Sequence, residues 1–431
     1  MKIALVEPVS TQANVFSKLC MPLLGPVYLG TILKNRGHQV QIYREDLYRP
    51  DYAKLDVDLV GISMLTSTAR RGYEIATKFP KDKVIMGGVH ASLLPEEALE
   101  FCRQVVVGEA EEVIADVAEG KIKDRIVAGR PVENLDSLPF PDFSLIKGYK
   151  LPSWIAPVST SRGCPFDCSF CSVTKMFGRK YRFRSAESVM QEVASVNTRQ
   201  LFFCDDNFTA HPMRTRRLLE LMLKVKDRIK NWSCQVRCDA AKDESLLNMM
   251  AEAKCSAVAV GFESVNSKTL KYYDKKQTIK EIINAIKSFH KRKIKIHGMF
   301  VLGSDDDSEK TVWETLRFAL KQKIDTIQMS ILTPFPGTKV HEDLEKEKRI
   351  FSRDWNLYDG QHIVFNPKLL SAKQLQLNVL KAYARFYSLS KSFSLLIKLR
   401  FRNAFFRFMG YSIIKNWSAR NRNLYWLPQK S

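Results

Sequence analysis

The stretch Ser161–Val173, SRGCPFDCSFCSV, sets three cysteines at C-x3-C-x2-C in a run interrupted by Gly163 and Pro165. Gly and Pro interrupt regular structure, so Cys164, Cys168 and Cys171 are expected on a loop. The number three is informative. Iron–sulfur clusters take closely spaced Cys ligands, and three thiolates leave one iron open to a further ligand. A structural zinc takes four ligands in paired spacing, and the nearest further candidates, Cys204 and His211, fall on a different element. A metal-free or zinc-binding loop is the alternative.

The segments around this loop give its architectural setting. From Trp154 onward APVSTSRG, RQLFFCDD, NWSCQVRCD, SAVAVGFES, IKIHGMFVLG and DTIQMSILTPFPG read as strands, each pair separated by enough residues for a helix. Six strand–helix repeats predict a closed or three-quarters-closed parallel barrel, with its chemistry at the C-terminal rim. Polar strand ends fall there: Cys204-Asp205-Asp206, Arg237-Cys238 and Glu263-Ser264. Upstream, KIALVEP, HQVQIYRE, DLVGISML, KVIMGGVHA and QVVVGEAEE alternate with helical stretches, the pattern of a doubly wound parallel sheet. The Gly87-Gly88 and Gly108-Glu109 pairs lie at its strand ends, where ligands approach backbone.

The α/β chain therefore divides into a first domain at 1–130, a linker at 131–150, a partial (β/α)6 barrel at 151–345 and a helical basic, aromatic segment at 346–431. The linker reading rests on the Pro, Asp and Ser of PVENLDSLPFPDFSLIKGYK.

Charge is uneven along the chain. Of the net +22, thirteen Lys and Arg follow Asp359 while no Asp or Glu does. An acidic partner is thus sought at the tail. From Tyr383 the run YARFYSLSKSFSLLIKLRFRNAFFRFMGYSIIKNW suits an amphipathic helix on an anionic membrane face. A helical cap packed on the barrel is the other reading, and the two are compatible. Nucleic acid is the less favoured partner, since no RNA-binding motif accompanies the charge. Nine cysteines, three clustered and six scattered, do not form a secreted disulfide framework. The six, Cys20, Cys102, Cys204, Cys234, Cys238 and Cys255, read as small buried apolar side chains. With no signal core and no eighteen-residue apolar run, a cytoplasmic protein is expected, peripheral at the inner membrane face if the tail binds lipid.

With Phe170 before its last cysteine, the triplet resembles the signature of the radical S-adenosylmethionine superfamily, and LFFCDDNF, QVRCD, VGFES and TPFPGT resemble its later strand ends. The resemblance implies a 4Fe-4S cluster on Cys164, Cys168 and Cys171 whose open iron chelates S-adenosylmethionine, cleaved to a 5′-deoxyadenosyl radical. It implies that Asp205 and Asp206 receive the methionine ammonium, though the family's more usual Gly-Gly-Glu is absent; a helix N-cap is the plainer role for Asp205. Phe170, Arg237 and Glu263 are implied as S-adenosylmethionine contacts, Arg237 being equally readable as a surface ion-pair partner. The turn from Pro334 to Gly337 would line the adenine.

The upstream segment resembles the cobalamin-binding domain of one large class within that superfamily, which includes hopanoid, bacteriochlorophyll and lipid-modifying enzymes. Ser63, Thr66, Gly87, Gly88, Gly108 and Glu109 are its implied cobalamin contacts. EPVSTQANVFSKLC lacks the Asp-x-His-x-x-Gly loop that donates a His to cobalt. His90 reads as a cofactor contact or as loop packing. The implied reaction is hydrogen abstraction from an unactivated carbon of a hydrophobic or lipid-like substrate, with electrons from a donor such as flavodoxin or ferredoxin. Cobalamin-dependent C-methylation is the leading outcome; carbon–carbon coupling or oxidative cyclisation follows if the domain is only a scaffold. The reading from another class is a non-catalytic corrinoid- or metal-binding adaptor.

Overall fold

The computed structural model describes residues 1–10, 21–151, 153–196, 198–397 and 401–421. Cys20, most of the segment after the first strand and part of the tail lie outside the described residues. The chain forms two compact units. Of the described residues, one unit holds 1–10, those from 21 to 166, and those from 172 to 206, and the other holds 167–171 and those from 207 onward.

In the first unit, the β-branched runs read from the sequence become β1 (Lys2–Glu7), β2 (Gln39–Arg44), β3 (Leu59–Ser63), β4 (Val84–Gly87), β5 (Gln104–Val107) and β6 (Ile126–Ala128). All pairs are parallel, in the order β2-β1-β3-β4-β5-β6. The first five strands have the flavodoxin-like 2-1-3-4-5 order, which places its ligand crevice at the carboxyl ends of β1 and β3. Helix α1 (Leu24–Asn35) buries Val27, Tyr28 and Leu33, and Ile3, Leu5, Val27 and Leu33 share one apolar core with Val106 and Val117. After β4 the chain turns into α2 (Gly88–Leu93). Gly88 has φ +86°, and a Cβ there would stand 2.7 Å from the Met64 backbone nitrogen, so only glycine permits the turn.

The segment 131–150 is not a free linker. Its polar composition masked an apolar set, Val132, Leu135, Phe143, Leu145 and Ile146, all buried. Phe143, Leu145 and Ile146 join the core of the first unit. The Lys147 amide donates to the Ile42 carbonyl at 2.9 Å, and Ile146 forms a parallel bridge with Ile42. Compactness does not divide the chain at 150 either, because the first unit continues through β7 (Ala156–Val158), the short antiparallel pair β8 (Ser161–Arg162) and β9 (Arg182–Phe183), and β10 (Gln200–Phe203), which pairs parallel with β7.

The second unit contains β11 (Asn231–Val236), β12 (Cys255–Glu263), β13 (Lys295–Leu302) and β14 (Thr326–Ile331), parallel neighbours in that order. The anticipated strands thus all form. Alternate residues Trp232, Cys234, Val258, Ile296, Phe300 and Met329 are fully buried, while their neighbours Gln235, His297 and Gln328 are half-buried, the period-two signature of two unlike faces. Helix α3 (Ile279–Lys291) begins at a capping box made by Thr278 and Glu281 and buries Ile282, Ile286 and Phe289. Further on come α4 (Glu309–Lys321), α5 (Lys339–Lys346), α6 (Ala372–Phe386), α7 (Leu389–Ile397) and α8 (Phe401–Arg420).

The helical-cap reading of the tail is what the second unit displays. Tyr383 and Tyr387 donate or accept at the β14 backbone, Tyr387 Oη accepting from the Ile327 amide at 2.8 Å. Arg407 stacks over Phe386, 3.5 Å from the ring centroid. Helix α8 is not simply amphipathic: Ala404, Ile414 and Trp417 are buried on one side, whereas Phe401, Phe405 and Phe408 are exposed.

Candidate active site

The triplet loop opens where β8 ends. Gly163 has φ +83°, and a Cβ there would meet the Lys180 carbonyl at 2.5 Å, so the turn into Cys164 demands glycine. Cys164, Cys168 and Cys171 are each partly accessible. The Cys171 amide donates to the Cys168 carbonyl at 3.0 Å, a tight turn between the last two. Among the described residues no group of three or more His, Cys, Asp or Glu is gathered round one metal ion. A cluster makes no such demand, because each of its cysteines holds its own iron. Three thiols within eight residues of sequence are a donor set that fits.

Around Cys168 and its neighbours the second unit gathers four elements. Phe170 meets Tyr273 edge-on at 4.9 Å. Ser169 accepts from the amide of Val340, at the start of α5, just after the Pro334–Gly337 turn. Arg237, at the end of β11, donates from Nη1 toward Sγ of Cys168 at 3.8 Å. Lys275 is buried, with Nζ 2.6 Å from Glu263 Oε1. Burial lowers its pKa, but the Glu263 carboxylate and Cys168 more than restore it, and the ammonium ends above its ordinary value. The structure therefore gathers Phe170, Arg237 and Glu263 about the loop but gives each a protein partner. Arg237 is buried rather than on the surface, though its Nε still stands 3.8 Å from the half-exposed Asp239 carboxylate, and Glu263 is an ion-pair partner of Lys275 rather than a free ribose acceptor. Lys275 was missed; KYYDKK offers no periodic or motif signal to single it out.

In the first unit the adjacent carboxylates diverge. Asp205 is fully buried, its Oδ1 accepting from the Thr160 amide at 2.7 Å and the Ser161 amide at 2.8 Å, and its Oδ2 from Thr160 Oγ1. Both oxygens are engaged, so Asp205 ties β10 to the β7–β8 turn and is neither an ammonium receptor nor a helix cap. Asp206 lines a cavity of about 410 Å³ with Ser63, Gly87, Gly88 and Gly108. Asp206 is exposed along that lining, yet desolvation by the surrounding wall, then the neighbouring charge of Asp205, pushes its pKa up to about 7.

The cavity stands at the carboxyl ends of β1, β3, β4 and β5, as the strand order requires. Gly108, at φ +83°, has nothing within 4 Å of where a Cβ would be, so its missing side chain leaves open cradle space. Such a glycine-edged, mostly apolar recess fits a large planar cofactor laid on strand ends. Two of the expected contacts need correction. Thr66 is buried but is not part of the lining. Glu109 reaches the lining, yet its carboxylate is consumed by Arg162 at 2.7 Å and by Arg182, and accepts from the Val132 amide at 3.2 Å. Burial opposes its ionisation, but the two guanidiniums prevail and hold its pKa low. Arg162, one residue before Gly163, lines the cavity and was not singled out from the sequence. His90 is fully buried against Glu97 and Tyr73, the packing role. Cys102, Cys234, Cys238 and Cys255 are buried, whereas Cys204 borders the cavity with its thiol pushed up to about 12 by burial, the Asp205 charge adding to it.

Residues 158–319 match the model of the Radical SAM superfamily and residues 15–118 that of the B12 binding domain. Bacteriochlorophyllide d C-12(1)-methyltransferase of Chlorobaculum tepidum is 32% identical over 346 residues, 77% of this chain and 75% of that protein. The chain belongs to this family of B12-binding-domain radical SAM enzymes. Anaerobic magnesium-protoporphyrin IX monomethyl ester cyclase of Cereibacter sphaeroides is 28% identical over 374 residues, 78% of this chain and 60% of that one. The solved radical S-adenosylmethionine methyltransferase TsrM of Kitasatospora setae shares the fold, with a TM-score of 0.66 at 16% identity over 80% of this chain and 75% of that one. Membership in the radical SAM family makes this chain an enzyme that uses a 4Fe-4S cluster and S-adenosylmethionine, and its B12-binding domain is the family's cobalamin carrier.

Proposed function

We propose that the chain is a cobalamin-dependent radical C-methyltransferase acting on an unactivated carbon of a hydrophobic substrate, lipid-like or tetrapyrrole. The observation that carries this reading is the glycine-edged cavity at the strand ends of the B12-binding domain, in a chain that also bears the cysteine triplet. When bound, the cluster with S-adenosylmethionine supplies a hydrogen-abstracting radical and cobalamin a transferable methyl group. Cys164, Cys168 and Cys171 would hold the cluster. Arg237 and Lys275 set positive charge beside Cys168. Ser63, Gly87, Gly88 and Gly108 would receive the corrinoid on backbone and small side chains, and Asp206 would present a carboxyl whose pKa is raised to about 7. An electron donor such as flavodoxin or ferredoxin completes the system, which we place in the cytoplasm at the inner membrane face.

The cyclase among the relatives supports a second reading, oxidative cyclisation or carbon–carbon coupling without methyl transfer. Metal analysis of protein purified without oxygen from cells given hydroxocobalamin separates the two. About four irons with one cobalt per chain favours methyl transfer, and about four irons without cobalt favours the second reading. Cys168→Ala is expected to abolish 5′-deoxyadenosine formation. If the wild type loaded with iron forms none, the adaptor reading stands instead.

A further inference from the structure

Helix α8 carries two apolar stripes. Ala404, Ile414 and Trp417 are buried, and Gly410 lets the helix lie against Tyr387, whose ring a Cβ would approach to less than the contact distance of any side chain. On the other side Phe401, Phe405, Phe408 and Met409 fall at i, i+4, i+7 and i+8, the spacing of a single helical face. All four are exposed. Helix α7, which packs against α8, adds Phe393 and Ile397 at i and i+4. Phe393, Ile397, Phe401, Phe405 and Phe408 are 55–83% exposed.

Scattered exposed apolar residues need no explanation, but large ones at helical spacing on each of two packed helices do. The charge of the segment that carries them points to the occupant. After Asp359 the chain carries thirteen Lys and Arg and no acidic residue. Two copies meeting through this face would bring like charges together. The four phenyl rings could stack on bases, but the aliphatic Ile397 and Met409 on the same face could not, and no RNA-binding motif accompanies the charge. Aromatic and aliphatic side chains on one face of a helix, in a segment whose sequence has cations but no acids and whose exposed α8 cations include Lys415 and Arg420, suit acyl chains beneath anionic headgroups.

We infer that the exposed face of α7 and α8 seats the enzyme on an anionic phospholipid surface. The inference does not depend on methyl transfer; it names the surface by which an enzyme of either reaction outcome reaches a membrane. No helix among the described residues is long and apolar enough to span one, so the contact is peripheral.

The test uses the full-length, cluster-loaded enzyme and vesicles of phosphatidylcholine, with and without phosphatidylglycerol. The wild type should sediment with the anionic vesicles, less so at high salt, and the triple variant Phe401→Ser, Phe405→Ser, Phe408→Ser should bind about tenfold more weakly. Unchanged 5′-deoxyadenosine formation would show that the variant is folded. If it does not fold, reversal of the exposed Lys415 and Arg420 to Glu should weaken anionic binding in its place. A wild type that stays in the supernatant overturns the inference, as does equal binding by the variants. A dimer that the triple variant dissolves, or an oligonucleotide complex it loses, in the absence of vesicle binding, would overturn it in favour of those partners.

Discussion

Arg237 and Lys275 place two cations near the Cys168 thiol, the first with Nη1 3.8 Å from Sγ. A reduced cluster carries one more negative charge than an oxidised one, so adjacent cations and N–H donors to sulfur raise its reduction potential. In reconstituted protein, Arg237→Gln is therefore expected to lower the cluster midpoint in an EPR redox titration by about 59 mV, a tenfold change in the one-electron equilibrium. Asp206 gives a prediction of opposite kind. Its pKa rises to about 7 in the folded protein from an ordinary carboxylate value. Between those two pH values the unfolded chain has released the proton while the folded chain keeps it, so wild-type stability falls as pH rises. Asp206→Asn in the cofactor-free protein should therefore match the wild type below the ordinary carboxylate range, gain in Tm through pH 4 to 7, and hold that gain above. A gap that opens in the acid direction would contradict the placement of Asp206. The sequence offered Asp205 and Asp206 as equals because they share charge and position. Which of two adjacent carboxylates turns toward Thr160 and which toward the cavity is settled by strand pairing, and no composition records that.

Elements with a strong period were legible and elements held by tertiary contact were not. The runs KIALVE, LVGIS and VIMG pack β-branched residues between turn residues, and they are strands. The segment 131–150 misled because Pro, Asp and Ser mark irregular backbone, and irregular backbone is not the same as a loose tether. Asn134 and Asp142 cap single 3-10 turns that deliver Leu135, Phe143 and Leu145 inward. Phe143→Ala should accordingly cost about 3–5 kcal/mol, as in other core truncations, and lower Tm as a core mutation does. At the other end of the chain, His362 is fully buried between Asp359 and Asn421, at 3.0 and 3.1 Å, and beside Trp417 of α8. Burial lowers its pKa, yet the Asp359 carboxylate raises it further, and the net direction is up. The stability this array contributes is complete below the unfolded histidine value near 6.5 and is lost as pH climbs through the raised one. The Tm difference between wild type and His362→Asn should then be widest in mild acid and narrow toward alkaline pH.

Across the whole molecule, the sequence foretold the α/β class, the succession of strands and the two kinds of domain, because each rests on local pattern: alternation, glycine at strand ends and cysteine spacing. It did not foretell how compactness divides the chain. The first compact unit extends through Asp206 because β7 and β10 pair with each other and because Arg162 and Arg182 both close on Glu109, contacts between residues far apart in sequence. Glutamate 109 read as a ligand for the same reason, since the arginines that claim it lie more than fifty residues away and carry no motif.

The anchorage made by Asp205 bears on how the enzyme is produced in a cell. It pins Thr160 and Ser161 immediately before the cysteine loop, using a carboxylate, two amides and a hydroxyl. None of these groups is a cysteine of the triplet, so the entrance to the loop is fashioned by the polypeptide alone, unlike a zinc finger that folds only round its ion. Iron-free protein should melt cooperatively with the same far-UV circular dichroism as the loaded enzyme. The order of biogenesis follows: synthesis first, metallation later. A cell short of iron would then accumulate an intact apoenzyme reserve, ready for filling when supply returns, instead of a chain fit only for proteolytic disposal.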